Sequence, residues 1–143
     1  MILKPLSIEY VDQMVDLQSQ GFSDGWSKQS IISGIEKGGL MGVLAFSDQN
    51  LVGFLTFSKS IDFCELMDVL VDKNYRRQGI ATMLINYLVD SVKGVSPKIF
   101  LEVRATNDSA INLYQKHGFI KTSVRKKYYS DGEDAIIMEK ELI

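Results

Sequence analysis

The segment from Val69 to Leu84 constrains the fold more than any other, because it joins a strand to a helix through a basic turn. Before the turn, apolar residues form the dense run typical of a strand buried on both faces: Leu66, Met67, Val69, Leu70 and Val71. After the turn, apolar residues return every three or four positions, as on one side of a helix: Ile80, Leu84, Leu88 and Val92. The sequence therefore predicts a buried strand and then a helix that begins near Gly79.

The turn has the composition of an anion-binding site. Arg76 and Arg77 supply fixed positive charge of the kind that suits phosphate. The first turn of a helix leaves backbone N–H groups unpaired, and Gly79 lets a ligand approach them because it has no Cβ. Neither a Walker loop, which needs a lysine after its glycine, nor a dinucleotide fingerprint with three spaced glycines fits this segment. The alternative is an ordinary strand-to-helix turn with two solvated arginines.

Length and charge limit the class of protein. With 143 residues, 45% hydrophobic and 24% charged, we expect one folded domain over residues 1–143. The formal net charge of −2 argues against a general nucleic-acid-binding protein, which would carry a basic surplus. No apolar run approaches the roughly 20 residues needed to cross a bilayer, and the first residues do not resemble a signal peptide. We therefore expect a cytoplasmic protein with no membrane partner.

The chain has a single cysteine, Cys64, and a single histidine, His117. An internal disulfide is therefore impossible, and a zinc site built on histidine and cysteine is not expected, so we predict no metal. Cys64 is expected to pack as a small buried group. His117 stands just before the glycine that ends a predicted helix, and we interpret it as a cation at that helix terminus.

Apolar periodicity and turn residues divide the whole chain into strands and helices. The predicted helix Gly79–Val92 connects the strand Phe63–Val71 to the strand Lys98–Arg104. We therefore expect these two strands to be parallel in an otherwise antiparallel, mixed sheet. The first helix is capped by Ser7 and ends at Gly21, and the others are expected at Ser27–Lys37, Gly79–Val92 and Asn107–Lys116. The strands are expected at Met1–Leu6, Leu40–Phe46, Leu51–Ser58, Phe63–Val71, Lys98–Arg104, Phe119–Arg125 and Glu133–Leu142.

Two motifs and this element order resemble the GNAT superfamily of N-acetyltransferases. Residues Arg76-Arg77-Gln78-Gly79-Ile80-Ala81 match the pattern Arg/Gln-x-x-Gly-x-Gly/Ala of the acetyl-CoA pyrophosphate loop, and residues 107–119 match Asn-x-x-Ala-x-x-Leu-Tyr-x-x-x-Gly-Phe. The resemblance implies an α/β (α+β) GNAT fold, with a mostly antiparallel sheet of about seven strands flanked by four helices. It also implies acetyl-CoA as cosubstrate, bound by Val69, Leu70, Val71, Arg76, Arg77, Gln78, Gly79, Ile80, Ala81, Thr82 and Asn107.

Within the superfamily, the C-terminal half is most similar to the bacterial ribosomal-protein alanine N-acetyltransferases of the RimI type. The similar segments are residues 101–107, 125–129 and 132–138. Gly25 stands where that group usually has proline, and Asp68 where many members have asparagine. The resemblance implies acetylation of a protein N-terminus, and a lysine, a polyamine or another small amine stays open as acceptor. A noncatalytic acyl-CoA sensor is a further alternative.

The resemblance also implies two catalytic residues. Glu102 occupies the general-base position, acting directly or through a water, and Tyr114 the position that protonates the departing thiolate. Other roles stay open, because Glu102 could pair with Arg104 on one strand face and Tyr114 could be a core residue.

Aromatic residues at two loops are candidates for the acceptor-binding walls. They are Trp26, which could instead anchor the second helix as a hydrophobic staple, and Tyr128 and Tyr129, which could instead form a solvent-facing tip. The acidic residues near that tip could attract a basic protein tail or form a solvated turn; they are Asp131, Glu133 and Asp134.

Overall fold

The computed structural model describes residues 1–20 and 25–142. The strands are β1 Ile2–Pro5, β2 Met41–Ser47, β3 Asn50–Lys59, β4 Cys64–Val71, β5 Lys98–Arg104, β6 Ile120–Arg125 and β7 Ala135–Glu141. The α-helices of these residues are α1 Val11–Gln18, α2 Lys28–Glu36, α3 Ile80–Val92 and α4 Asp108–Lys116. The predicted element order is confirmed, and the predicted ends lie within two residues of the observed ones except in the first helix.

The first helix begins later than the sequence predicts. Ser7 does act as a cap, but its hydroxyl accepts a hydrogen bond from the Glu9 N–H at 3.3 Å and caps a short 3₁₀ helix over Ile8–Tyr10. The α-helical turns begin only at Val11. Gly21, the predicted end of this helix, lies outside the described residues.

The seven strands form one mixed sheet in the order β1-β2-β3-β4-β5-β7-β6. Neighbours are antiparallel except β4 and β5, which are parallel and connected through α3. This arrangement confirms the predicted mixed, mostly antiparallel sheet with one strand–helix–strand crossover.

Each face of the sheet has its own apolar core. On one face, α3 and α4 cover side chains that include Leu55, Leu66 and Leu101. On the other face, α1 and α2 cover Leu44, Phe54 and neighbouring residues of β2, β3 and β4. In β5, Ile99, Leu101 and Val103 belong to the α3 and α4 core, so the alternate residues of that strand point to the α1 and α2 face.

Strands β4 and β5 are paired only where they begin. The paired residues are Cys64 with Ile99 and Glu65 with Phe100, although the strands run on to Val71 and Arg104. Beyond these pairs the two strands diverge and leave a slot in the middle of the sheet.

Strand β4 also contains a β-bulge at the start of the slot. Phe57 pairs with Leu66 and Thr56 with Asp68, so Met67 is an extra residue with no partner on β3. The bulge changes which residues face which core. Leu66 packs with the α3 and α4 core, whereas Met67 packs with the α1 and α2 core.

None of the helices in the described part of the chain has the length and apolar character that crossing a bilayer requires.

Candidate functional site

The slot between β4 and β5 opens into a cavity of about 450 Å³. Its lining brings together five residues predicted to bind the cofactor or to act in catalysis: Val69, Leu70, Glu102, Asn107 and Tyr114. It also includes the three predicted acceptor-binding aromatic residues: Trp26, Tyr128 and Tyr129. The sequence therefore identified residues that are far apart in the chain and close together in the fold.

The basic loop lies beside this cavity and does not line it. Arg76, Arg77, Gln78 and Gly79 are exposed to solvent at the end of β4. Gly79 precedes the first residue of α3 and has φ +77°, a backbone conformation that side chains other than glycine rarely adopt. No described atom lies within 4 Å of the position that a Cβ of Gly79 would occupy. The N-terminus of α3 is therefore open to a ligand.

The remaining predicted cofactor residues contribute differently from the exposed ones. Ile80 is 2% exposed and packs in the core, so only its backbone can contact a ligand. Val71, Ala81 and Thr82 are half-buried. Asn107 caps α4, because its side-chain oxygen accepts a hydrogen bond from the Ala110 N–H at 3.1 Å.

Glu102 lies on the α1 and α2 face of β5 with its side chain 16% exposed. The Tyr128 hydroxyl donates a hydrogen bond to its carboxylate, and this bond is the main cause that raises the pKa of Tyr128 above its usual value. The guanidinium of Arg125, on β6, lies 3.9 Å from the same carboxylate. Glu102 is therefore a half-buried carboxylate at the slot, and the side chains of Arg125 and Tyr128, which contact it, are both exposed to solvent.

Glu65 is a cavity residue that the sequence analysis missed. It lies on β4, and burial and the nearby negative charge of Glu102 raise its pKa, while Arg125 lowers it. Glu65 and Glu102 thus share the α1 and α2 face of the slot, and Asp68 is a third carboxylate in the cavity lining. A polar residue in an apolar strand was the only signal in the sequence, and neither motif includes Glu65.

Tyr114 reaches the slot from the opposite face. It is 8% exposed, packs in the α3 and α4 core and lies with its ring centroid 5.8 Å from that of Phe119. Burial is the main cause that raises its pKa above the ordinary value, and the charge of Asp68 adds to the effect. The side chain is therefore both a core residue and part of the cavity wall.

Trp26 is held in the cavity wall by Gln18, which is 7% exposed. The Gln18 side-chain amide donates to the Trp26 carbonyl at 2.8 Å, and its oxygen accepts from the Trp26 N–H at 2.9 Å. Trp26 also packs with the cluster that contains Ile31 of α2. The staple interpretation and the wall interpretation are therefore compatible.

The acidic residues near Tyr128 and Tyr129 are engaged within the protein. Arg104 forms ion pairs with Asp131 at 2.8 Å and with Glu133 at 3.0 Å, and its guanidinium lies 4.0 Å from the Tyr129 ring centroid. Asp134 accepts a hydrogen bond from the Lys127 N–H at 2.9 Å. These contacts favour a structural role, in which the acidic residues fix the aromatic loop to β5.

The interpretation of His117 as a helix-terminal cation is wrong. Its Nε2 lies 3.1 Å from the Thr82 hydroxyl, and burial together with the charges of Lys116 and Lys140 lowers its pKa below the ordinary value. The imidazole is therefore neutral at pH 7.

Cys64 is fully buried, as predicted, and burial raises the pKa of its thiol to about 12. A thiol with this pKa stays protonated and is a poor nucleophile. In the described parts of the chain, His, Cys, Asp and Glu residues form no group of three that could hold a metal ion.

Comparisons with known proteins agree with this geometry. The model of a family described as the Acetyltransferase (GNAT) family matches residues 11–119. An N-alpha-acetyltransferase of Saccharolobus solfataricus is 30% identical over 98% of this chain and 92% of its own. The [ribosomal protein bS18]-alanine N-acetyltransferase of Escherichia coli is 43% identical, with the match covering 54% of this chain and 55% of that protein. A crystal structure of the ribosomal-protein-S18-alanine N-acetyltransferase from Escherichia coli superposes with a TM-score of 0.88 and 28% identity, over 99% of this chain and 93% of that one.

Proposed function

The chain belongs to the GNAT family of acetyltransferases, and from this premise we propose that it transfers the acetyl group of acetyl-CoA to the α-amino group at the N-terminus of a protein. The observation that carries the proposal is the slot between β4 and β5, with Glu102 on one face of the sheet and Tyr114 on the other. The relatives named as N-alpha-acetyltransferases support this class of acceptor. We also propose that residues 1–143 act as one catalytic domain.

The N-terminus of α3 fits the pyrophosphate of acetyl-CoA. Gly79 leaves open space in front of the unpaired N–H groups, and Arg76 and Arg77 are exposed beside them. We propose that these residues hold the cofactor with Gln78 and the backbone of residues 80–82, and that Val69, Leu70, Val71 and Asn107 line its path to the slot. Bound acetyl-CoA supplies an acetyl group activated as a thioester.

Glu102 is the proposed general base. The attacking amine must be neutral, and a protein α-amino group with a reference pKa of about 7.7 to 8.0 loses its proton far more easily than a lysine at about 10.4. The Glu102 carboxylate accepts one amine proton, directly or through a water, while the new C–N bond forms. The hydrogen bond from Tyr128 must then shift or be shared, which places Tyr128 next to the incoming terminus.

Tyr114 is the proposed donor to the leaving sulfur. Its raised pKa keeps the hydroxyl protonated at neutral pH. Because this pKa exceeds the roughly 8.5 of a free thiol, full proton transfer is uphill, and a hydrogen bond that stabilises the sulfur as the C–S bond breaks is the larger contribution.

Trp26, Tyr128 and Tyr129 are the proposed walls for the acceptor. Trp26 comes from the segment before α2, and the two tyrosines come from the β6–β7 connection, so the acceptor would enter between two loops on one face of the sheet. The pairing of Gln18 with Trp26 and of Arg104 with the acidic turn fixes both walls before the acceptor binds.

Intact-mass measurement tests the choice of acceptor. Peptides that begin with Ala, Ser or Met are incubated with acetyl-CoA beside the same peptides with a blocked N-terminus and an internal lysine, and beside polyamines. We expect a gain of one acetyl group only on free N-termini. Acetylation of the blocked peptides or of polyamines alone would assign a lysine or a small amine instead, and CoA binding without any transfer would indicate a sensor.

A further inference from the structure

Glu65 and Glu102 lie on the same face of the slot. Glu65 pairs in register with Phe100, and Glu102 is two residues further along β5, so both side chains point away from the α3 and α4 core. From the strand spacing and this offset, their Cα atoms are separated by roughly 8 Å. The bulge at Met67 lies two residues after Glu65, where β4 and β5 are no longer paired.

This pair of carboxylates already attracts a guanidinium from the protein itself. Arg125 belongs to the exposed edge strand β6, and its guanidinium lies 3.9 Å from Glu102 and 5.3 Å from the Tyr128 ring centroid. The charge of Arg125 also acts on Glu65. The Arg125 side chain is 57% exposed, so its guanidinium can move into solvent when another cation takes its place.

In the proposed reaction, the acceptor amine does not supply a positive charge that could pair with Glu65. The α-amino group must be neutral when it attacks, so it cannot neutralise two carboxylates. Arg104 also lines the cavity, and its guanidinium forms ion pairs with Asp131 and Glu133. A second positive charge carried by the acceptor would therefore be favoured at the Glu65 side of the cavity.

We propose that Glu65 is a specificity-determining residue that binds the side chain of an arginine or lysine at the second position of the acceptor. The inference rests on the proposed function, because it assumes a peptide N-terminus whose amine lies at Glu102. A separation of roughly 8 Å between the two strand positions matches the reach of a long basic side chain from the residue after the acetylated one. The incoming cation takes the place of Arg125 beside the two carboxylates.

Steady-state kinetics with matched peptides test the proposal. Four peptides begin with Ala and differ only at the second position, which is Arg, Lys, Gln or Glu. The wild type is compared with Glu65→Gln, which keeps the shape and removes the charge, and with Asp62→Asn, which removes one exposed negative charge outside the cavity. CoA affinity by calorimetry shows that each variant is folded and binds its cosubstrate.

We expect the wild type to prefer Arg and Lys over Gln by roughly tenfold in kcat/KM, the ratio that corresponds to about 1.4 kcal/mol, and to use the Glu peptide least. Glu65→Gln should bring the Arg-to-Gln ratio close to one with little change for the Gln peptide, and Asp62→Asn should keep the wild-type ratio. High salt should reduce the preference in the wild type and in Asp62→Asn, and should have little effect on Glu65→Gln.

The other possible results distinguish a failure of the proposed role of Glu65 from a failure of the proposed N-terminal acetylation. Equal rates on all four peptides overturn the role of Glu65 and leave N-terminal acetylation standing. An equal loss on all peptides in Glu65→Gln also overturns it, since Glu65 would then act on the amine or the fold and not on the second residue. If the wild type acetylates none of the peptides, the proposed function fails and this inference fails with it. If Glu65→Gln does not fold, Glu65→Asp takes its place. Its shorter side chain should lower the Arg-to-Gln ratio below that of the wild type, and an unchanged ratio would overturn the role of Glu65.

Discussion

Replacement of Gly79 by alanine separates backbone strain from loss of ligand binding. Gly79 has φ +77°, and a residue with a Cβ loses about 1 to 2 kcal/mol there. The smaller entropy of the unfolded alanine chain returns about 0.4 to 1 kcal/mol, so we expect a net destabilisation of about 1 kcal/mol. For a domain of this size, that corresponds to a fall in Tm of roughly 3 to 5 °C.

The effect on CoA binding should be much larger than this strain. The new methyl group occupies the open space in front of the helix N-terminus and displaces the pyrophosphate from at least one N–H group. A lost hydrogen bond to a charged group is worth about 1.5 to 3 kcal/mol, so CoA affinity should fall by roughly 10- to 100-fold. Gly79→Val should weaken binding further.

Gly94 provides a matched control. It has φ +83° and lies beyond the end of α3, and no described atom lies within 4 Å of the position that its Cβ would occupy. Gly94→Ala should therefore lower Tm by a similar amount and leave CoA affinity unchanged. Calorimetric titration of both folded variants with CoA makes the comparison. Equal affinities in Gly79→Ala and Gly94→Ala would show that the pyrophosphate does not bind at the start of α3.

Three further predictions concern catalysis and pH. Tyr114→Phe keeps the packing against Phe119 but removes the hydroxyl, so the single-turnover rate should fall by roughly 10²- to 10⁴-fold with acetyl-CoA affinity little changed; a wild-type rate would leave Tyr114 as a packing residue only. Glu102→Gln should slow transfer most where the amine is protonated and recover as pH rises through about 8, and a loss that is constant with pH would argue against the base role. The folded pKa of His117 is lowered, so the unfolded chain takes up a proton first as pH falls below about 6.5, and folding stability decreases there. Urea unfolding at pH 8 and pH 5.5 should show a smaller decrease in His117→Gln, and an identical decrease in both proteins would contradict this cause.

The strand–turn–helix segment and the order of elements could be predicted because they depend on local patterns. The dense apolar run before Arg76 and the helical spacing after Gly79 are properties of adjacent residues. The capping role of Asn107 was likewise predictable, since the side chain bonds within its own helix turn.

The role of Glu65 was not predictable, because the bulge changes the face on which it lies. Leu70 packs in the α1 and α2 core. If the side chains of β4 alternated strictly between the two faces, Asp68 would share that face with Leu70, and Glu65 would lie on the α3 and α4 face, opposite to Glu102. The extra residue Met67 reverses this, and nothing in the local sequence marks a bulge there. The neutral state of His117 was missed for a similar reason, since burial, the main cause that lowers its pKa, and the charge of Lys140 on the last strand both depend on the tertiary fold.

The gap between β4 and β5 makes the sheet compliant at one place. Neighbouring strands usually resist being wedged apart, because a ladder of backbone hydrogen bonds along their whole length must break. Here the ladder ends after Glu65 and Phe100. The four strands before the gap and the three strands after it therefore form two parts of the sheet that are hydrogen-bonded to each other only over this short pairing. If the acceptor is a protein N-terminus as proposed, we expect first residues of different bulk to be accommodated by a tilt of the two parts of the sheet, without the loss of strand pairing.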